Sequence, residues 1–467
     1  MQGINENILV TDNNTLVFPA DKELTGQDVL DFILQHMMIA EHYKSLRKDY
    51  IGDHDILHKD THRGNRPDNR LVANLAHYIV ETFNGFFIGI PPKITLDDKQ
   101  DNEKLKQWND KNSFQDKLSE ISRQVDIYGR SIAFLYQDED SETRVQYASP
   151  LSAFIIYDDT VDMNPIAFIN YYYINNRLHG QVITNDIKYD LSDTFKMDDG
   201  EVNQFGTVPA VEFFQNEDRQ GVLDNVQTLI DALDNTLSQK ANQVEYFDNA
   251  YLAMLGVQLE EDEEGNPKVN LEGQQIIYSP DADATNAKLE FLSKPDGDNM
   301  QENLIDRITN LAYQISMVSN LNDEAFAGNS SGVAMQYKLL PMRNLAMNKE
   351  RKFTQSLRQL YKLLFGIGTV LDDNKKDEWQ NLSFKFSQNI PANLADEAAT
   401  AKSLEGVTSK ETQLSALSIV DDPKDEIDRM KKEQSDAIKN SLGVTGNLTD
   451  QQKAGMNNES ETAEQEE

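Results

Sequence analysis

"LIDRITNLAYQISMV", Leu304–Val318, sets Leu304, Ile308, Leu311, Ile315 and Val318 at successive spacings of four, three, four and three residues. On a helix that repeat makes a single apolar seam, which must pack on another helix. A core helix of an ordinary domain meets the same pattern, so the seam alone leaves the architecture open. Its surroundings narrow the choice. Upstream, Val226, Ile230, Leu233, Leu237, Ala241, Val244 and Tyr251 form a second stripe, predicting a helix over 224–255 about 48 Å long at ~1.5 Å per residue. Between the two lies 256–298, with eleven acidic residues against Lys268, Lys288 and Lys294. Its centre, LEEDEEGNPKVN, reads as a hairpin tip turning at Gly265-Asn266-Pro267, with IIYSP and LEFLSK as strands. A domain core explains each helix, but not why two long seams flank a polar knob.

The N-terminal part is helical. Thr25-Gly26 opens a helix with Val29, Phe32, Ile33, His36, Met37 and Ala40 on one face; a second is predicted from Pro67 to Phe87, with Asp68 and Asn69 in its first turn, and a third from Glu103 to Tyr128. Residues 131–215 change character. SIAFLYQ, RVQYASP, AFIIYD, IAFINYYYI and GQVITNDIKYDL are short, β-branched and aromatic, and predict an antiparallel meander. After a loop at 319–331 comes a long helical segment, 332–365. It carries Lys338, Arg343, Lys349, Arg351, Lys352, Arg358 and Lys362 against Glu350 alone, and Pro341 should kink it. LSFKF (382–386) is a last strand. Three short helices follow, beginning near Asn393, at Ser409, and after Asp422 with Pro423 in its first position. The tail, 441–467, is polar and acidic and is expected to be disordered.

The 467 residues suffice for two or three domains. No apolar run reaches the roughly 18 residues of a membrane span, and MQGINENILV lacks the pattern of a secretory leader. With zero cysteines the chain has no thiolate chemistry. A formal charge of −35 excludes wrapping nucleic acid by phosphate neutralisation, which needs a basic footprint.

Gly328-x-Ser330-x-Gly332 spells a hydrolase nucleophile elbow, but SNLNDEAFAGN before it has no strand pattern, and the last histidine of the chain is His179. Ser330 and Ser331 serve better as the N-cap of the helix beginning at Gly332. His54, His58 and His62 have the i, i+4, i+8 spacing of helical zinc ligands, yet Gly52, Gly64 and Pro67 bound them, which favours a surface loop. There is no P-loop and no EF-hand. The sequence offers no catalytic, metal or cofactor site.

Several segments, in order, resemble phage portal proteins of the siphovirus type. Tyr50–Leu57 (YIGDHDIL) is similar to a YY-x-G-x-HDIL segment of that family. Asn69–Val72, Tyr78–Thr82 and Gly85–Pro91 resemble its NNRIVNN…YIVDT…GYFLGxP helix. Pro209–Phe214 with Asn216–Gly221, and Ser330–Pro341 with Lys349–Phe353, complete the match, which spans about 30–435. The resemblance implies an α+β, mainly helical portal fold with an antiparallel β subdomain, assembling as a ring of twelve at the capsid vertex.

On that resemblance, 1–223 would form the wing, 224–255 and 299–318 the stem, 256–298 the clip, 332–391 a long kinked helix and wing strand, and 392–440 the crown. The loop 319–331 would be the tunnel loop, with Asn320, Asn322, Asp323, Glu324, Phe326, Asn329 and Ser330 toward DNA. Lys240 and Arg307 are candidates for the stem lining, and Glu260, Glu261, Asp262, Glu263 and Glu264 for the clip docking surface. Expected partners are double-stranded DNA bound without sequence preference, terminase, head-completion or adaptor proteins, and scaffolding and major capsid proteins, with no membrane. The expected place is the virion, after assembly in the host cytoplasm. The basic helix 332–365 would face DNA or pair with acidic neighbouring subunits. The competing readings are a head or adaptor protein that forms no ring, and a serine hydrolase acting through Ser330.

Overall fold

A computed structural model of the chain describes residues 6–60, 67–248, 251–255, 276–279, 288–292, 298–321, 332–390, 394–417, 419–420 and 423–438. The chain is a mixed α/β protein whose sheets are mainly antiparallel, and it divides into residues 1–389 and 390–467.

In the larger unit, seven strands form one sheet: β1 (Leu9–Val10), β2 (Leu16–Phe18), β6 (Ala153–Asp158), β7 (Pro165–Ile174), β8 (Arg177–Thr184), β9 (Ile187–Ser192) and β10 (Glu201–Val202), in that spatial order. Three more, β4 (Arg130–Gln137), β5 (Thr143–Ala148) and β11 (Ala210–Phe214), form a second sheet with β4 central. β3 (Ile90–Thr95) pairs with β15 (Ser383–Ser387). The expected single meander is thus two sheets, and the N-terminal residues join the larger one through a parallel β2–β6 pairing.

Side-chain alternation explains why the large sheet is covered on both faces. Phe154, Ile156, Ala167, Ile169 and Val182 pack on Val29, Phe32 and Ile33 of helix α1 (Gly26–Ile51). Their neighbours Ala153, Ile155, Phe168 and Ile183 face the second sheet through Ile132, Ala148 and Ala210. Thr25 caps α1 in a reciprocal capping box with Asp28, at the position read from the sequence.

Three helix boundaries differ from expectation. The second helix, α2, begins at Leu75 (Leu75–Ile88), capped by Asn74, and residues 67–73 before it are not helical. The third is two helices, α3 (Lys99–Lys111) and α4 (Phe114–Tyr128), broken where Ser113 takes a positive φ. Asn112 stabilises the break: its Nδ2 donates to the Trp108 carbonyl at 2.9 Å and its Oδ1 accepts from Val145 N–H at 3.2 Å. The stripe over 224–255 is helical only in α5 (Gln227–Asp248), because Tyr251–Leu255 is strand β12.

Gly129 ends α4 at φ +78°, and a Cβ there would lie 1.8 Å from the Arg219 carbonyl oxygen. Gly129→Ala combines left-handed strain with a backbone collision. We expect it to lower stability by at least about 2 kcal/mol, measured by urea unfolding.

The smaller unit holds helices Leu394–Ser403 and Lys410–Ser415, the latter capped by Ser409 as expected, and 423–438 is also helical. Asp422 and the tail 441–467 lie outside the described residues.

Candidate functional site

The two seams meet. Helix α6 (Asp298–Ser316) packs on α5, and Ile308 and Ala312 of α6 and Ile230 and Leu233 of α5 are buried. Lys240 pairs with Glu302, and Gln301 Nε2 donates to Gln243 Oε1 at 3.0 Å, so the helices run antiparallel. The Leu304–Val318 seam is only partly buried within the subunit. Leu304 and Ile315 remain 48% and 45% exposed, and Met300 extends the same exposed surface.

Between α5 and α6 the chain builds a small sheet. β12 pairs in parallel with β13 (Ile276–Ser279) and antiparallel with β14 (Lys288–Leu292). Both strands anticipated in the insert are therefore present. The acid run Glu260, Glu261, Asp262, Glu263 and Glu264 lies outside the described residues.

The root of the next loop is fixed at its start. Ser319 Oγ donates to the Lys338 carbonyl at 3.0 Å, and Leu321 N–H donates to Tyr78 Oη at 3.3 Å. Asn320, partly buried, sits between them. Asn322, Asp323, Glu324, Phe326, Asn329 and Ser330 lie outside the described residues. Arg307 is exposed on α6, while the Lys240 ammonium is already held by Glu302.

Helix α7 (Gly332–Gly366) contains Pro341. Several of its basic residues are satisfied inside the subunit, which neither reading offered for the helix anticipated. Lys349 is fully buried: Nζ donates to Asp126 at 2.7 Å and Ser122 Oγ at 2.8 Å, and lies 4.7 Å from the Phe87 ring centre. Burial raises the Asp126 carboxyl and lowers the Lys349 ammonium, each opposed by attraction to the other. Lys352 pairs with Glu217, Arg358 lies over Phe384, and Lys362 lies over Trp379.

The sequence reading missed a second buried charge site, where α5 meets the end of α1. Residues 69–73 run along α5 and direct alternate N–H groups into its side chains. Asn69 N–H donates to Asn242 Oδ1 at 2.5 Å, Leu71 N–H to Ser238 Oγ at 2.9 Å, and Ala73 N–H to Asp234 Oδ1 at 2.8 Å. Asp234, Ser238 and Asn242 are four apart, one face of a helix. The other carboxylate oxygen of Asp234 bonds His54 Nδ1, and His54 Nε2 lies 2.9 Å from the Asp49 carbonyl. His54 is thus a core residue, His58 is exposed beside Asp53, and His62 lies outside the described residues. The zinc spacing does not become a constellation, and no group of potential metal ligands occurs among the described residues. No helix among them is long and apolar enough to cross a membrane.

A family model described as "Phage portal protein, SPP1 Gp6-like" matches residues 31–440. No curated protein matches the chain. Among solved structures, a chain of the virion of a native gene transfer agent particle is similar at 10% identity and a TM-score of 0.39, covering 81% of this chain and 97% of that one. That likeness is too remote to carry an argument.

Proposed function

The chain belongs to the SPP1 Gp6-like phage portal protein family, and we propose that it forms the ring at a capsid vertex through which double-stranded DNA is packaged and released. The family is structural rather than enzymatic. The observation that carries the reading is the partly buried seam of α6, since an exposed heptad stripe fits a helix of an adjacent subunit. On this reading α5 and α6 are the stem, the β12–β14 sheet with its acidic insert is the clip, residues 1–223 with 332–391 are the wing, and 392–440 are the crown. The clip would dock terminase during packaging and head-completion or adaptor proteins afterwards. Scaffolding and major capsid proteins would meet the ring elsewhere. Twelve copies would form in the host cytoplasm and remain in the virion.

Charge supports the same reading. DNA presents about one charge per 1.7 Å of axis, and a basic lining would hold it by counterion release. A subunit of net charge −35 keeps adhesion weak. Arg307 would offset part of the repulsion, with Lys240 contributing less because Glu302 already pairs with it. The loop 319–331 would project toward the DNA from the root fixed by Ser319 and Leu321.

Deleting 322–329 while keeping both anchors should leave the assembled mass unchanged and lower the DNA packaged or retained per particle at least about tenfold. Normal filling of heads carrying that deletion would remove the loop from the mechanism.

A further inference from the structure

We propose that His54 is a proton-controlled latch that holds α5 to the end of α1 and to residues 69–73, closed while the imidazole carries two protons and opened when it loses one. The geometry requires two protons at the closed site. Nδ1 faces the Asp234 carboxylate and Nε2 faces the Asp49 carbonyl, both acceptors. A neutral ring has one N–H, so loss of a proton leaves one acceptor facing a lone pair, in a site where His54 is 0% and Asp234 1% exposed. Asp234 is also the acceptor for Ala73 N–H, so the imidazole and the docked segment share one carboxylate.

The charges around the ring come from every element at the site. Asp49 stands on α1, Asp55 and Lys59 follow it, and Asp231 and Asp234 stand on α5, while the docked segment adds the Asp68–Arg70 pair. Burial opposes a charged ring, but the Asp234 bond and charge, with Asp49, outweigh it and raise the His54 pKa. A raised histidine contributes stability that is complete below its unfolded value near ~6.5 and is lost as pH rises through the folded value. The latch therefore opens on the alkaline side. His42, raised by its bond to Asp224 at 2.7 Å, also titrates, but Asp224 precedes α5 and stands ten residues before Asp234, so the readout belongs at 69–73.

Hydrogen exchange of the full-length protein between pH 6 and 10, corrected for intrinsic base catalysis, tests this. Protection of Leu71 and Ala73 should fall as pH rises across that range while β8 amides hold theirs. Asp234→Asn supplies an N–H to the Nδ1 of a neutral ring and keeps an oxygen for Ala73, so its profile should be flat. A flat profile in the unaltered protein, or an equal slope in Asp234→Asn, overturns the latch. The latch does not depend on the portal reading: the exchange experiment involves neither ring nor DNA, so either can fail alone.

Discussion

Lys349→Met is expected to destabilise the larger unit by about 3–5 kcal/mol near neutral pH, because it leaves the Asp126 carboxyl buried without its counter-ion. That is a large share of the roughly 5–15 kcal/mol that holds a typical domain together. Lys349 is 0% exposed and its ammonium lies among the rings of Phe83, Phe87 and Phe353. The folded carboxyl would then be protonated more readily than the unfolded one. A raised carboxyl favours the fold in acid and loses that contribution as pH rises, so the deficit should be largest near neutral pH and shrink as pH falls toward about 4. The double variant Asp126→Leu with Lys349→Met should recover most of the loss, since a buried ion pair is often replaceable by apolar side chains. Urea unfolding at pH 4 and 7 reads all three. A single variant as stable as the parent at both values would mean the pair is not desolvated as described.

The second large effect concerns assembly. Leu304→Asp combined with Ile315→Asp should leave the subunit's own unfolding transition nearly unchanged, since both side chains are about half exposed. In the assembled ring the same positions would be covered by the neighbour, and two buried unpaired carboxylates there oppose association. Losing two interface anchors at about 2 kcal/mol each raises the concentration for half-assembly by roughly 1,000-fold. Sedimentation across a concentration series measures it. Unaltered assembly would show that this stripe faces solvent or the channel.

What the sequence disclosed depended on whether the partners of a segment were local. Helix α1 was legible because Thr25, Asp28 and the apolar face of Val29, Phe32 and Ile33 are all within one segment. The strands were legible by composition, but their division into two sheets was not, since β4 finds β11 some 75 residues later. Residues 67–73 looked helical because Asp68 and Asn69 suit a first turn; their backbone donors are instead claimed by Asp234, Ser238 and Asn242, far along the chain. Tyr251 continued a helical stripe, yet the strands that pair with β12 lie downstream. Lys349 counted as one charge among seven, and only the fold brings Asp126 to it. At the candidate site the α5–α6 contact was legible from the seam, and the ion pair that occupies Lys240 was not.

End-on electron microscopy of the purified full-length protein, with its mass measured in solution, tests the ring most directly. The account predicts closed rings around an open axial pore, with a mass near twelve times 53.1 kDa. Compact particles without a pore, at the mass of one subunit over a wide range of concentration, would contradict it.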